Sequence, residues 1–180
     1  MMKICALDAS TLDEVRPDLV ELLLDAVADG GPLGVDAAID RLAARRYWDE
    51  VGAAIAGGTR LLLAASHEGK LLGSVQLDLS QQPNGHRFAE LQQLMVHRHA
   101  RRRGLGGVLL RAAEAEAGLL GRGLLFLDLE AGSGAEQLYH GYGYTCVGAA
   151  PDSVSPGAAR PAMATYYKAL LPMTPLAELA

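Results

Sequence analysis

Hydrophobic positions change their spacing along this chain, and the changes divide it into elements. In residues 11–30, "TLDEVRPDLVELLLDAVADG", Leu19, Leu22, Leu23, Ala26 and Val27 recur at helical intervals and run into Gly30, Gly31 and Pro32. Such spacing gathers apolar side chains on one face, and the glycines and proline supply a stop. From Asp36 to about Ala56, Ala37, Ala38, Ile39, Leu42, Ala43, Tyr47, Val51 and Ile55 predict one or two more helices, closed by Gly57 and Gly58. The pattern then shortens. "TRLLLAAS" and "LLGSVQLDLS" read as strands joined at "HEGK", and "QQPNG" reads as a turn into a third strand, "FAELQQLMV". A helix with Leu105, Val108, Leu109, Ala112 and Ala113 on its apolar face comes next, followed by a buried strand, "GLLFLDLEAG". A short helix, "SGAEQLYHGYG", and two closing strands, "YTCVG" and "MATYYKAL", complete the order. Helices, a meander, then helix, strand, helix and two strands predict an α/β (α+β) domain with a mixed, mostly antiparallel central sheet flanked by helices.

At 180 residues, half of them hydrophobic, the chain is long enough to bury a core and has the usual size of one domain. We expect a single domain over 1–172, a C-terminal tail over 173–180, and a loop-like tract over 148–161. A formal net charge of −5 argues against a surface built as a whole for nucleic acid or anionic membrane. No signal peptide or membrane span is evident at the N-terminus, because Asp8 breaks its short apolar run. A cytoplasmic location is the expectation. Cys5 and Cys146 match no metal spacing, so no metal is expected, and Cys146 reads as a small buried hydrophobe.

One segment departs from this mild acidity. "HRHARRRGLGG", residues 97–107, opens with His97, Arg98, His99 and Arg101 to Arg103, turns glycine-rich at Gly104, Gly106 and Gly107, and then enters a helix. Backbone N–H groups at a helix start have no partner within the helix, and the macrodipole adds about half a positive charge there. That is an anion site. Glycine admits close approach and positive φ, and no Asp or Glu lies between Met95 and Arg111 to compete. The segment fails the P-loop pattern, since no Lys-Ser or Lys-Thr follows, and the dinucleotide pattern, since Leu109 stands at the third glycine. A nucleic-acid contact is disfavoured because no aromatics interleave with the arginines. A basic loop that merely solvates the helix is the plainer alternative.

"LMVHRHARRRGLGGVLLRAAEAEA" resembles the acyl-CoA-binding motif of the GNAT superfamily of N-acetyltransferases, whose core (Gln/Arg)-x-x-Gly-x-(Gly/Ala) corresponds to Arg101–Gly106. "AEQLYHGYGYTCVG" is similar to that superfamily's Ala-x-x-Leu-Tyr segment, and the stretch from about 20 to 170 is similar to the tabtoxin-resistance type of acetyltransferase. The resemblance implies that the backbone of Leu94, Met95 and Val96 pairs with the pantetheine arm of acetyl-CoA. It also implies that the amides of Arg101, Arg102, Arg103, Gly104, Leu105, Gly106 and Gly107 cradle its pyrophosphate. Gly132 stands where many members carry asparagine, and Ser133 is the candidate substitute.

Acetyl transfer to an amine needs a neutral amine, and an alkylammonium titrates near pH 10, so a base is required. Glu90 and Asp128 are the candidates, with Glu130 a more solvated spare nearer the strand end. Without a bulge, Glu90, Gln92, Leu94 and Val96 share one strand face. Tyr139 occupies the position where the resemblance implies a proton donor to sulfur. The expected reaction is direct attack by a small-molecule primary amine in a ternary complex. The resemblance implies an acceptor like an amino-acid toxin, in a pocket shaped by residues 29–48, Trp48 included, and 75–83. A peptide or protein amine, or an acyl-CoA-binding module without turnover, are the other readings; the oligomer is expected to be a monomer or homodimer.

Overall fold

The computed structural model of the protein describes residues 1–30, 38–79, 87–150 and 162–170. The turn at 81–85, most of the tract at 148–161, the tail at 173–180 and parts of the two pocket-shaping segments lie outside the described residues. Seven strands form one sheet in the order β1-β2-β3-β4-β5-β7-β6, with β1 at Met2–Leu7, β2 at Arg60–His67, β3 at Lys70–Asp78, β4 at Phe88–Val96, β5 at Leu124–Glu130, β6 at Thr145–Ala150 and β7 at Met163–Ala169. Every neighbouring pair is antiparallel except β4 and β5. The expected mixed sheet is present.

Helix α1 spans Ala9–Ala28, α2 Arg41–Ala56, α3 Leu105–Leu119 and α4 Ala135–Gly141. Asp8 starts α1 with a reciprocal cap: its carboxylate accepts the Thr11 amide at 2.8 Å and its own amide donates to the Thr11 hydroxyl at 3.0 Å. Asp40 caps α2 with its carboxylate alone, which accepts the Ala43 amide at 2.7 Å. Among the described residues a single helix occupies the region where one or two were expected. Residues 2–7, left out of the expected elements, form an edge strand paired with β2.

Two apolar layers enclose the sheet. Leu12, Leu19, Leu23, Trp48 and Leu62 centre the one beneath α1 and α2, and Leu109, Leu110, Leu125 and Leu127 centre the one beneath α3 and α4. Each such leucine, fully buried, is worth roughly 1.5–3 kcal/mol of transfer free energy. Trp48 is completely buried between α2 and the sheet, so it belongs to this core and not to an acceptor pocket. Tyr47 beside it accepts a hydrogen bond from Gln76 at 2.8 Å, which ties α2 to β3. Cys146 is exposed on the edge strand β6, against the expectation of burial, because β6 has no neighbour beyond it among the described residues. Among the described residues no helix is long and apolar enough to cross a membrane.

Candidate active site

The functional geometry begins where β4 parts from β5. These strands pair only at Phe88–Glu90 with Leu124–Phe126, leaving the β5-facing edge of residues 91–96 without a strand partner among the described residues. Unpaired strand edges accept amide-bearing ligands. The His97 amide donates to the Leu72 carbonyl at 2.8 Å, on the β3 side, so strand alternation turns the N–H of Val96 toward the open edge. Met95 faces the other way: its backbone is paired with Ser74 and its side chain is buried under α1 and α2.

Gln93 has φ +51°, and the β3–β4 register shifts between Ser74 and Gln76. This bulge changes which side chains share a face. Leu91, Leu94 and Val96 pack on the α3 side, while Met95 enters the α1–α2 layer. The bulge-free expectation that groups Glu90 with Leu94 and Val96 is therefore wrong. Glu90 instead stands in register with Phe126, whose strand alternation places Asp128 on the same face two residues on. Both acids line a cavity of about 550 Å³ at the divergence. The Thr165 hydroxyl donates to Asp128, which is exposed, so this acid is less costly within its apolar run than the sequence suggests. Glu130 is the less exposed of the two and does not line the cavity, contrary to the expectation that it is the more solvated.

At the far end of β4 a short turn at Arg98–Ala100 leads to Gly104, whose φ of +81° caps α3 without any side-chain hydrogen bond. The first intrahelical bond of α3 runs from the Val108 amide to Gly104, which leaves the amides of Leu105, Gly106 and Gly107 without helical partners. Gly106 lines the cavity. Leu105 is buried in the core, and Gly107 has a packing reason of its own, since a Cβ there would overlap the Tyr142 hydroxyl. Arg102 and Arg103 are exposed beside these amides.

The other two arginines are engaged elsewhere. Arg98 binds Asp25, and Arg101 binds Asp29 while donating from Nε to the Val96 carbonyl at 2.8 Å. The acid-free sequence around the island is thus answered from the last turn of α1. His97 approaches Asp25 at 3.9 Å, and His99 is exposed. Tyr139, on α4, lines the cavity with 6% exposure and packs edge-on against Tyr144. Burial pushes its hydroxyl well above the ordinary phenol value, so the group is a neutral donor. Ser133 lies off the cavity; its hydroxyl is buried without a partner among the described residues.

The acetyltransferase (GNAT) domain family matches residues 28–154. The chain belongs to the GNAT family of acetyltransferases. Solved structures agree with this GNAT acetyltransferase in fold across nearly its whole length. A putative acetyltransferase from Salmonella typhimurium, solved with its cofactor acetyl-CoA, is 18% identical, with 97% of each chain covered and a TM-score of 0.74. Aminoglycoside 6'-acetyltransferase type Ii is 19% identical over 96% of this chain and 99% of that one, at 0.72. A putative phosphinothricin N-acetyltransferase is 17% identical over 95% and 99%, at 0.71. At identities this low the likeness shows the shared fold alone. What sequence reasoning missed in this acetyltransferase is the acidic end of α1, for which no local signal exists.

Proposed function

We propose that the protein transfers the acetyl group of acetyl-CoA to a primary amine of a small molecule by direct attack in a ternary complex. The observation that carries this reading is one cavity that adjoins an unpaired strand edge and a helix start with free amides, and that also holds two carboxylates and a buried phenol. The amides of Leu105 and Gly106, with Gly104, receive the pyrophosphate, and the exposed Arg102 and Arg103 supply countercharge. The Val96 amide and the edge of β4 hold the pantetheine arm. When bound, the coenzyme supplies an acetyl thioester at the gap between β4 and β5.

Glu90 and Asp128 bind the incoming ammonium, and one of them takes its proton, so that the amine nitrogen attacks as the C–S bond breaks. The Tyr139 hydroxyl donates a hydrogen bond that strengthens as charge develops on the leaving sulfur. A phenol is a weaker acid than a thiol, so this group stabilises the thiolate without having to surrender its proton. The names of two structural neighbours and the resemblance to the tabtoxin-resistance type put aminoglycosides, phosphinothricin and amino-acid toxins on the panel of acceptors to be screened.

The test is coenzyme binding by calorimetry, followed by thiol release from acetyl-CoA across that panel and across simple alkylamines. Acetyl transfer to any small amine supports the assignment. Tight coenzyme binding with no acceptor, peptides included, would make the chain an acyl-CoA-binding module.

A further inference from the structure

Among the described residues, the face of the sheet that carries Glu90 and Asp128 continues past the cavity without a covering helix. Helices α1 and α2, which pack on this side, lie over β1 to β4. Beyond them, acids and apolar side chains interleave. Glu90 neighbours Phe126 in register, Phe126 neighbours Tyr167, and Phe88 meets Phe126 edge-on at 5.8 Å. Tyr167 is 38% and Met163 42% exposed, and Met163 also lines the cavity.

Charge around the cavity is one-sided among the described residues. Among the described residues its charged lining is Asp29, Glu90, Asp128 and Arg101, and Arg101 is already held by Asp29 and the Val96 carbonyl. Among the described residues the cavity lining holds no further cation to balance Glu90 and Asp128, and the partner of Asp128 there is the neutral Thr165 hydroxyl. Tyr139 independently marks the cavity as a ligand site: it is nine-tenths buried there, with no hydrogen-bond partner for its hydroxyl among the described residues. An acceptor that brought its own carboxylate would set it against two like charges in a cleft that screens them less than bulk water does. An apolar or aromatic body, by contrast, finds Phe126, Tyr167 and Met163 beside the ammonium site, where an aromatic face also attracts a cation.

We infer that the acceptor is a cationic amine with an aromatic or aliphatic body and no carboxylate or other anionic group, an aralkylamine rather than an amino acid. This rests on the transferase reading above and narrows its substrate class, away from the amino-acid-like acceptor that the resemblance implies.

The experiment compares matched pairs that differ by one carboxylate: phenethylamine with phenylalanine, tyramine with tyrosine, benzylamine with phenylglycine. With the wild-type protein, kcat/KM from thiol release is expected to be roughly tenfold or more higher for the carboxylate-free member of each pair. Met163→Lys, at an exposed position that should not disturb folding, is expected to shrink that ratio by supplying a cation beside the cleft. Ratios near one, or reversed, overturn the inference. So does coenzyme binding with no turnover of any carboxylate-free amine, while the transferase reading survives if another amine is acetylated. Absence of coenzyme binding removes the transferase reading, and this inference falls with it.

Discussion

Asp25, in the last turn of α1, accepts the backbone amide of Arg98 at 2.9 Å, closing a link across 73 residues of chain. The carboxylate is 8% exposed and also holds the Arg98 guanidinium, with Arg101 at 3.8 Å. Burial alone would push its pKa up. The Arg98 amide and guanidinium, together with the charge of His97, outweigh that and leave it below the ordinary carboxylate value. The link anchors the segment that leads into the free amides of α3.

Because the folded pKa is depressed, the unfolded chain takes up this proton at higher pH than the native one. The stabilisation is therefore complete above the unfolded carboxylate range, near pH 4, and disappears as pH falls through the native value. Asp25→Asn is expected to cost roughly 1–3 kcal/mol at neutral pH. Urea unfolding measured from pH 7 downward should show the two proteins converging in acid, where the protonated native carboxyl resembles the amide. A gap that stays constant over that range would mean the charge of Asp25 contributes nothing.

Glu90 and Asp128 share a face and a cavity, yet neither accepts a hydrogen bond from the helix-start amides proposed to hold the coenzyme. Glu90→Gln and Asp128→Asn are thus expected to lower kcat, by about 10²–10⁴-fold for whichever is the base. Acetyl-CoA affinity, read by calorimetry, should move by less than about twofold. Parallel losses in coenzyme affinity and turnover would make these acids structural supports of the strand edge.

Tyr139 separates a chemical role from a packing role. Its hydroxyl has no hydrogen bond to lose among the described residues, so Tyr139→Phe should change stability by no more than about 0.5 kcal/mol. Turnover is expected to fall about tenfold to a hundredfold if the hydroxyl meets the sulfur. Since burial raises its pKa, the alkaline limb of the wild-type rate profile should carry no ionisation from this residue up to pH 10. Unchanged kcat in the phenylalanine variant would return Tyr139 to the core.

Elements with local signals were legible in the sequence. The glycine-rich entry to α3, the apolar stripe of α1 and the short helix before Tyr142 all depend on neighbours within a turn or two, and each stands where its residues predict. Long-range features were not. The edge strand β1 has no regular alternation of exposed and buried positions and takes its identity from pairing with β2, some 60 residues away. One backbone angle at Gln93 reorders the faces of β4, and nothing in "ELQQLMV" announces it. Asp25 and Asp29 meet Arg98 and Arg101 only because α1 ends against that turn. Trp48 reads equally well as a pocket wall or a core side chain until α2 is laid on the sheet.

Gly106 and Gly107 look equivalent in sequence but occupy opposite situations, and two substitutions should pull them apart. A Cβ at Gly106 would sit 3.6 Å from Leu138, an ordinary contact, beside the cavity and in the first turn of α3. Gly106→Asp therefore fits sterically, and a carboxylate near a helix N-terminus is worth about 0.3–1 kcal/mol of added stability. The same carboxylate would take the place of the pyrophosphate, so acetyl-CoA affinity should fall about a hundredfold or more. Gly107→Ala drives a methyl group into the Tyr142 ring and hydroxyl, an overpacking cost of about 1–3 kcal/mol, with coenzyme affinity affected only as far as α3 shifts. Melting temperature and coenzyme affinity should thus move in opposite directions in the first variant and fall unequally in the second. If Gly106→Asp bound acetyl-CoA as well as the wild type, the free amides of α3 would not be the phosphate seat, and the orientation proposed for the thioester would have to be abandoned with it.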